Sequence, residues 1–167
     1  SKKIIGIDIG GTTFSSSLFD EDLNVIKTSP KELISSLSST NKLLDSLVEQ
    51  VNSFNCDELI GIGVACPGPL DSINGMILDT PNLLLLQNIN LKSELESRTS
   101  LPVYIENDAN LFALGECKKQ KNNPSVFGAL TLGTGLGFGI IINEKIFSGG
   151  NGMAAEYAIS PLEYGNW

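Results

Sequence analysis

The stretch Ile4–Phe19, IIGIDIGGTTFSSSLF, reads as a strand, a tight glycine turn and a second strand. Asp8 stands where the first strand ends, and Gly10, Gly11 and Thr12 form the turn. Glycines let backbone N–H groups approach an oxyanion closely, and successive N–H groups in such a turn make an anion nest. The Thr12 hydroxyl adds a donor, and the Asp8 carboxylate suits a hydrated divalent cation held against the same anion. Two other glycine motifs do not fit. A Walker loop ends in Gly-Lys-Ser/Thr, and no such triplet follows Gly11. A Rossmann fingerprint opens a helix, whereas here Asp8 fills the second glycine position and a strand-like run follows. The remaining alternative is an ordinary hairpin with a surface aspartate.

The chain has 167 residues, enough for one compact domain or two small lobes, and 41% of them are hydrophobic. No apolar run approaches the ~20 residues of a membrane span, and no signal peptide is visible ahead of the first strand. Cys56, Cys66 and Cys117 are scattered and lack metal spacing, which fits a reducing, cytoplasmic setting. A net charge of -8 argues against nucleic acid as a partner. With no histidine, acid–base chemistry falls to carboxylates, and a histidine-containing triad or zinc site is excluded.

Residues 23–28 read as a third strand and 30–40 as a serine-rich loop. Residues 41–54 carry Leu43, Leu44, Leu47, Val48 and Val51 at helical spacing. The run LIGIGVA over 59–65 predicts a buried, parallel strand. It ends in Cys66-Pro67-Gly68-Pro69, a rigid turn at a strand's carboxyl end, where α/β sheets place ligands. A short extended excursion over 73–78, a helix over 91–99, a strand over 102–106 and a helix over 109–119 follow. The opening pattern then recurs: strand 126–132, Gly133-Thr134-Gly135, strand 136–142, an Asn-Glu turn and strand 145–147. This duplication divides the chain into a lobe over 1–120 and the start of a second over 121–167, with both glycine loops expected to line one cleft. A helix is expected to begin near 153–158, around Glu156.

The ordered motifs are Asp8-Ile9-Gly10-Gly11-Thr12, Pro67-Gly68-Pro69 with Asp71, Pro81-Asn82-Leu83, Glu106-Asn107-Asp108-Ala109-Asn110 running to Gly115-Glu116, and Leu132-Gly133-Thr134-Gly135-Leu136-Gly137. Together with the glycine-rich run from Gly149 to Glu156, they resemble the ROK (repressor, open reading frame, kinase) family of sugar kinases and sugar-responsive repressors. The resemblance implies an α/β, ribonuclease-H-like (actin-like ATPase) fold: a mixed five-stranded sheet with helices, plus an incomplete second copy. It implies ATP-dependent transfer of the γ-phosphoryl group to a hexose or amino-hexose hydroxyl, with ATP and Mg²⁺ required.

By the same resemblance Asp108 is the general base, although Asp at that place also suits a helix N-cap. Gly68, Asn82, Asn107 and Glu156 match sugar-binding positions. Gly10, Gly11, Thr12, Thr134 and Gly135 match the phosphate loops, and Asp8 matches the Mg²⁺-associated carboxylate, acting through water. The family's Glu-x-Gly-His departs here to Glu156-Tyr157-Ala158-Ile159, and its cysteine-rich loop is replaced by Leu162–Trp167, so no zinc site is expected. No DNA-reading helix-turn-helix precedes the first strand, so the repressor branch is not expected. The region that would bind adenine lies outside this sequence. Three readings follow: a hexose kinase; a sugar-binding module, degenerate kinase or sugar-responsive regulator without turnover; and an activator ATPase or anhydride-forming kinase of the same superfamily, against which the Glu106-Asn107-Asp108 motif and the Pro67-Gly68-Pro69 turn argue. Dimerisation is common in the family, so a homodimer is one expectation.

Overall fold

The computed structural model describes residues 1–133, 135–150, 152 and 154. The chain divides into two compact units, Ser1–Asp108 and Ala109–Trp167.

The first unit is built on a mixed sheet. Strands β1 (Lys3–Ile9) and β2 (Thr13–Phe19) form the antiparallel hairpin, and β3 (Val25–Thr28) extends it. The two-residue β4 (Glu32–Leu33) also pairs with β2. Helix α1 (Thr40–Ser53) leads to β5 (Leu59–Cys66), which lies parallel to β1. A small hairpin, β6 (Leu70–Asp71) with β7 (Met76–Ile77), and helix α2 (Leu91–Thr99) precede β8 (Val103–Asn107), parallel to β5. The order is β3-β2-β1-β5-β8, with β4 beside β2.

Alternation explains the packing. On one face Ile5, Ile7, Ile9, Ile62, Val64, Cys66, Val103 and Ile105 are buried with Leu43, Leu44, Leu47 and Val51 of α1 and Leu91 and Leu95 of α2. Each such aliphatic side chain contributes roughly 1.5–3 kcal/mol when buried. The helices start where their caps permit. Ser39 Oγ accepts from the Lys42 N–H at 3.3 Å, and Asn90 Oδ1 accepts from the Ser93 N–H at 2.9 Å. Ser100, at φ 58, ends α2 in the left-handed region.

Two expectations shift. The third strand begins at Val25 rather than Leu23, because Asp20 Oδ1 accepts from the Asp22 and Asn24 N–H groups and turns the chain, with Leu23 at φ 64. The 30–40 segment is more ordered than a loop: after β4 comes a single 3₁₀ turn over Ile34–Ser36.

Helix α3 (Asp108–Lys118) begins at the last residue of the first unit and continues into the second. In the second unit β9 (Val126–Leu132), β10 (Leu136–Ile142) and β11 (Lys145–Ile146) form an antiparallel sheet, ordered β11-β10-β9. Ala113 and Cys117 of α3 pack with Ile141, flanked by Phe127, Ala129 and Ile146. β10 passes close beneath the helix because Gly137 and Gly139 carry no side chain. A Cβ on Gly139 would stand 2.6 Å from the Ala109 carbonyl oxygen. The helix expected around Glu156 lies outside the described residues.

Candidate active site

Three parallel strands, β1, β5 and β8, end on the same edge of the first unit's sheet. Crevices at such carboxyl ends are where open α/β sheets bind ligands. Register places the chemistry there. Asp8 pairs with Ala65, Ala65 with Glu106, and Cys66 with Asn107. Asp8, Ala65 and Glu106 are therefore level across three neighbouring strands, on the face opposite the packed isoleucines. Immediately beyond lie Gly10-Gly11-Thr12 after β1, Pro67-Gly68-Pro69 after β5, and Asp108 after β8. Asp8 and Asp108 are exposed, and Asn107 is half-buried.

The glycine turn closes on itself: the Gly10 N–H donates to the Thr13 carbonyl at 2.8 Å. Gly11 and Thr12 face solvent. The backbone of Asn82 lies against Gly11, so that a Cβ there would stand 3.3 Å from the Asn82 carbonyl oxygen. A side chain at Gly11 would therefore press on the Asn82 segment, which would have to give by a few tenths of an ångström. Asp71 acts locally, within its own turn. Its carboxylate accepts from the Ile73 and Asn74 N–H groups, each at 3.1 Å, and from the Asn74 amide at 2.7 Å. The Asn74 amide, with the backbone donors, holds that carboxyl below the usual carboxylate range. The Gly68–Pro69 bond is cis.

Cys66 entered the sequence reading only as a scattered cysteine and as the start of the Cys66-Pro67-Gly68-Pro69 turn, with no role of its own. It is fully buried at the end of β5, and burial, reinforced by the carboxylates of Asp108 and Asp8, pushes its thiol up to about 12. Its position as the last residue of the apolar run LIGIGVAC was the available signal. The edge therefore holds three carboxylates, Asp8, Glu106 and Asp108, and a neutral thiol. Glu106 Oε1 accepts from the Asn107 N–H at 2.7 Å.

The first unit brings together Asp8, Gly10, Gly11, Thr12, Gly68, Asn107 and Asp108 on one edge, and sets Asn82 against the turn. Gly135 lies in the second unit, where its carbonyl accepts from the Gly133 N–H at 3.0 Å in the turn between β9 and β10. Thr134 and Glu156 lie outside the described residues. Among the described residues no three His, Cys, Asp or Glu side chains group as a metal cluster. A magnesium ion needs no such cluster, since it keeps several waters and takes one or two carboxylates plus phosphate oxygens. Asp8, exposed beside the glycine turn, fits that requirement.

A strand–turn–strand opening, parallel strands that end on one edge, and a second glycine hairpin are the features of an actin-like, ribonuclease-H-like protein. Residues 4–159 match the ROK family, and the chain belongs to it. It is 33% identical to a glucokinase of Thermotoga maritima over 159 residues, covering 92% of this chain and 49% of that protein. It is 36% identical to an N-acetyl-D-glucosamine kinase of Vibrio parahaemolyticus, covering 97% and 54%. Among solved structures, a ROK family glucokinase from Streptomyces griseus in complex with glucose and AMPPNP superposes with a TM-score of 0.81 at 32% identity, covering 93% of this chain and 49% of that one. The chain thus spans about half the length of the relatives it matches.

Proposed function

We propose that this chain forms the sugar- and phosphate-binding edge of an ATP-dependent hexose or amino-hexose kinase. The observation that supports it most is the shared edge: Asp108 follows β8 and the Asp8-Gly10-Gly11-Thr12 turn follows β1, with only β5 between them. Phosphoryl transfer needs mainly positioning and charge neutralisation. In this reading Asp108 accepts the proton of the attacking sugar hydroxyl. Asn107, Asn82, Gly68 and Glu156 hold the sugar. The Gly11 and Thr12 N–H groups and the Thr12 hydroxyl face the phosphates, and Gly10 contributes by shaping the turn. Thr134 and Gly135 form the second phosphate loop. Asp8 holds a hydrated magnesium ion, which when bound neutralises charge on the phosphate chain. The relatives named as glucokinase and N-acetyl-D-glucosamine kinase support the sugar class. The cytoplasm is the expected place of work; among the described residues no helix is long and apolar enough to cross a membrane.

Thermal melting against a hexose panel, with and without MgATP, tests this. A ligand that binds only the folded state stabilises it by about 2.7 kcal/mol at a hundred times its dissociation constant. Shifts with both a hexose and MgATP are expected, the hexose shift surviving in Asp108→Asn. No shift with any hexose refutes the assignment, and a hexose shift without one from MgATP favours the sugar-binding module.

A further inference from the structure

Behind the glycine turn lies a closed polar network inside an otherwise apolar layer. Gln50 of α1 is 5% exposed and occupies the helix's apolar stripe, seven residues after Leu43. Its Oε1 accepts from Ser16 Oγ of β2 at 2.7 Å and from Ser29 Oγ at 3.0 Å. Its Nε2 donates to Glu32 Oε1 at 2.7 Å, and Ser46 Oγ donates to Glu32 Oε2 at 2.6 Å. The Ser16 N–H donates in turn to Ser29 Oγ at 2.9 Å. The amide orientation is determined by this arrangement, since a flipped Gln50 would point its oxygen at the Glu32 carboxylate.

The network ends on the segment that holds the turn. Glu32 is the first residue of β4, which pairs Glu32 with Phe14 and Leu33 with Thr13. The next N–H, that of Ile34, donates to the Thr12 carbonyl at 2.9 Å. Thr13 is the residue whose carbonyl accepts from Gly10. A continuous path therefore runs from α1 through Gln50 and Glu32 to β4, and from β4 to the Thr12–Thr13 end of the turn, whose Thr13 carbonyl closes the turn onto the Gly10 N–H. An apolar residue at position 50 would fill the stripe equally well, so burial alone does not call for glutamine there.

We propose that Gln50 and Glu32 are positioning residues that hold the glycine turn in its anion-binding shape. This rests on the turn being a phosphate loop. Fully satisfied buried networks rigidify what they join, and partly satisfied ones loosen it.

The test compares the native chain with Glu32→Gln, Ser46→Ala and Gln50→Leu by amide hydrogen exchange and by titration with inorganic tripolyphosphate and Mg²⁺. In Glu32→Gln, exchange at Gly10 and Ile34 should quicken about tenfold, the factor that losing a charge-assisted hydrogen bond implies. Ile62, whose N–H donates to the Pro102 carbonyl, should keep its native rate. Tripolyphosphate affinity should fall about tenfold. Ser46→Ala, the mildest change, should give a smaller effect of the same pattern, which keeps the test valid if Gln50→Leu does not fold. Uniform quickening across the first unit, unchanged exchange, or quickened exchange with unchanged tripolyphosphate affinity would each overturn the proposal. No tripolyphosphate binding by the native chain would overturn the phosphate-loop reading itself, and this inference with it.

Discussion

One methyl group, added at two glycines that meet α3 differently, should move stability in opposite directions. Gly139 of β10 lies under the helix: a Cβ there would stand 2.6 Å from both the Ala109 carbonyl oxygen and the Ala113 Cβ, and 3.1 Å from the Asn110 Cα. Ordinary contact begins near 3.4 Å, so helix and strand must separate by about 0.8 Å, and the obstacles are backbone and a Cβ, which have no rotamer to escape into. Overpacking of this kind costs about 1–3 kcal/mol. Gly115 sits within α3, and a Cβ there meets nothing within 4 Å. Alanine at that exposed helical site should stabilise by about 0.5–1 kcal/mol, through helix propensity and a less flexible unfolded chain. At about 2–4 °C per kcal/mol for a chain of this size, calorimetric melting should give Gly139→Ala a loss of about 2–12 °C and Gly115→Ala a small gain. A Gly139→Ala protein that melts with the native chain would refute the close passage of β10 beneath α3.

Three further outcomes follow from the same physics. Cys66, its thiol pushed up to about 12 from 9.0, keeps its proton in the folded state where the unfolded chain ionises. Stability should therefore be unaffected below pH 9 and fall by up to about 1.4 kcal/mol per unit between the two values, a slope that denaturant titrations should find missing in Cys66→Ala. Asn90→Ala removes both the cap on the Ser93 N–H and a 3.2 Å bond from its side-chain amide to the Asn74 carbonyl. Chemical denaturation should show a loss of about 1 kcal/mol. Arg98→Ala, breaking the exposed 2.6 Å pair with Asp45, should cost less than about 1 kcal/mol and less still in high salt.

How far the sequence could be read depended on whether a feature was local. The strand–glycine–strand opening and the parallel strand read over 59–65 declare themselves through apolar period and flanking glycines, and both stand, the second running one residue further to Cys66. The apolar stripe of α1 was equally plain. Features created by pairing were not. Glu32 and Leu33 have no local reason to form a strand and do so because β2 offers them partners. Gln50 reads as an interruption of a helix stripe until Ser16, Ser29 and Glu32 converge on it. The neighbourhood of Cys66 depends on register across β1, β5 and β8, which no single stretch contains. Asp8 and Gly11 were legible as candidates because one stands near the end of a strand and the other lies in the glycine turn, whereas Asn107 and Asp108 became candidates through the resemblance to the ROK family. Their common edge emerges only once the parallel pairing of three strands is known.

The most direct measurement is transfer of labelled γ-phosphate from ATP, with Mg²⁺, to glucose, mannose and N-acetylated hexosamines by the native chain and by Asp108→Asn. The account predicts a labelled sugar phosphate with at least one of these, reduced by about 10²–10⁴-fold in Asp108→Asn, the range for losing a general base, while hexose binding persists. Transfer undiminished in Asp108→Asn, or a native chain that binds hexose and phosphorylates none, would contradict it.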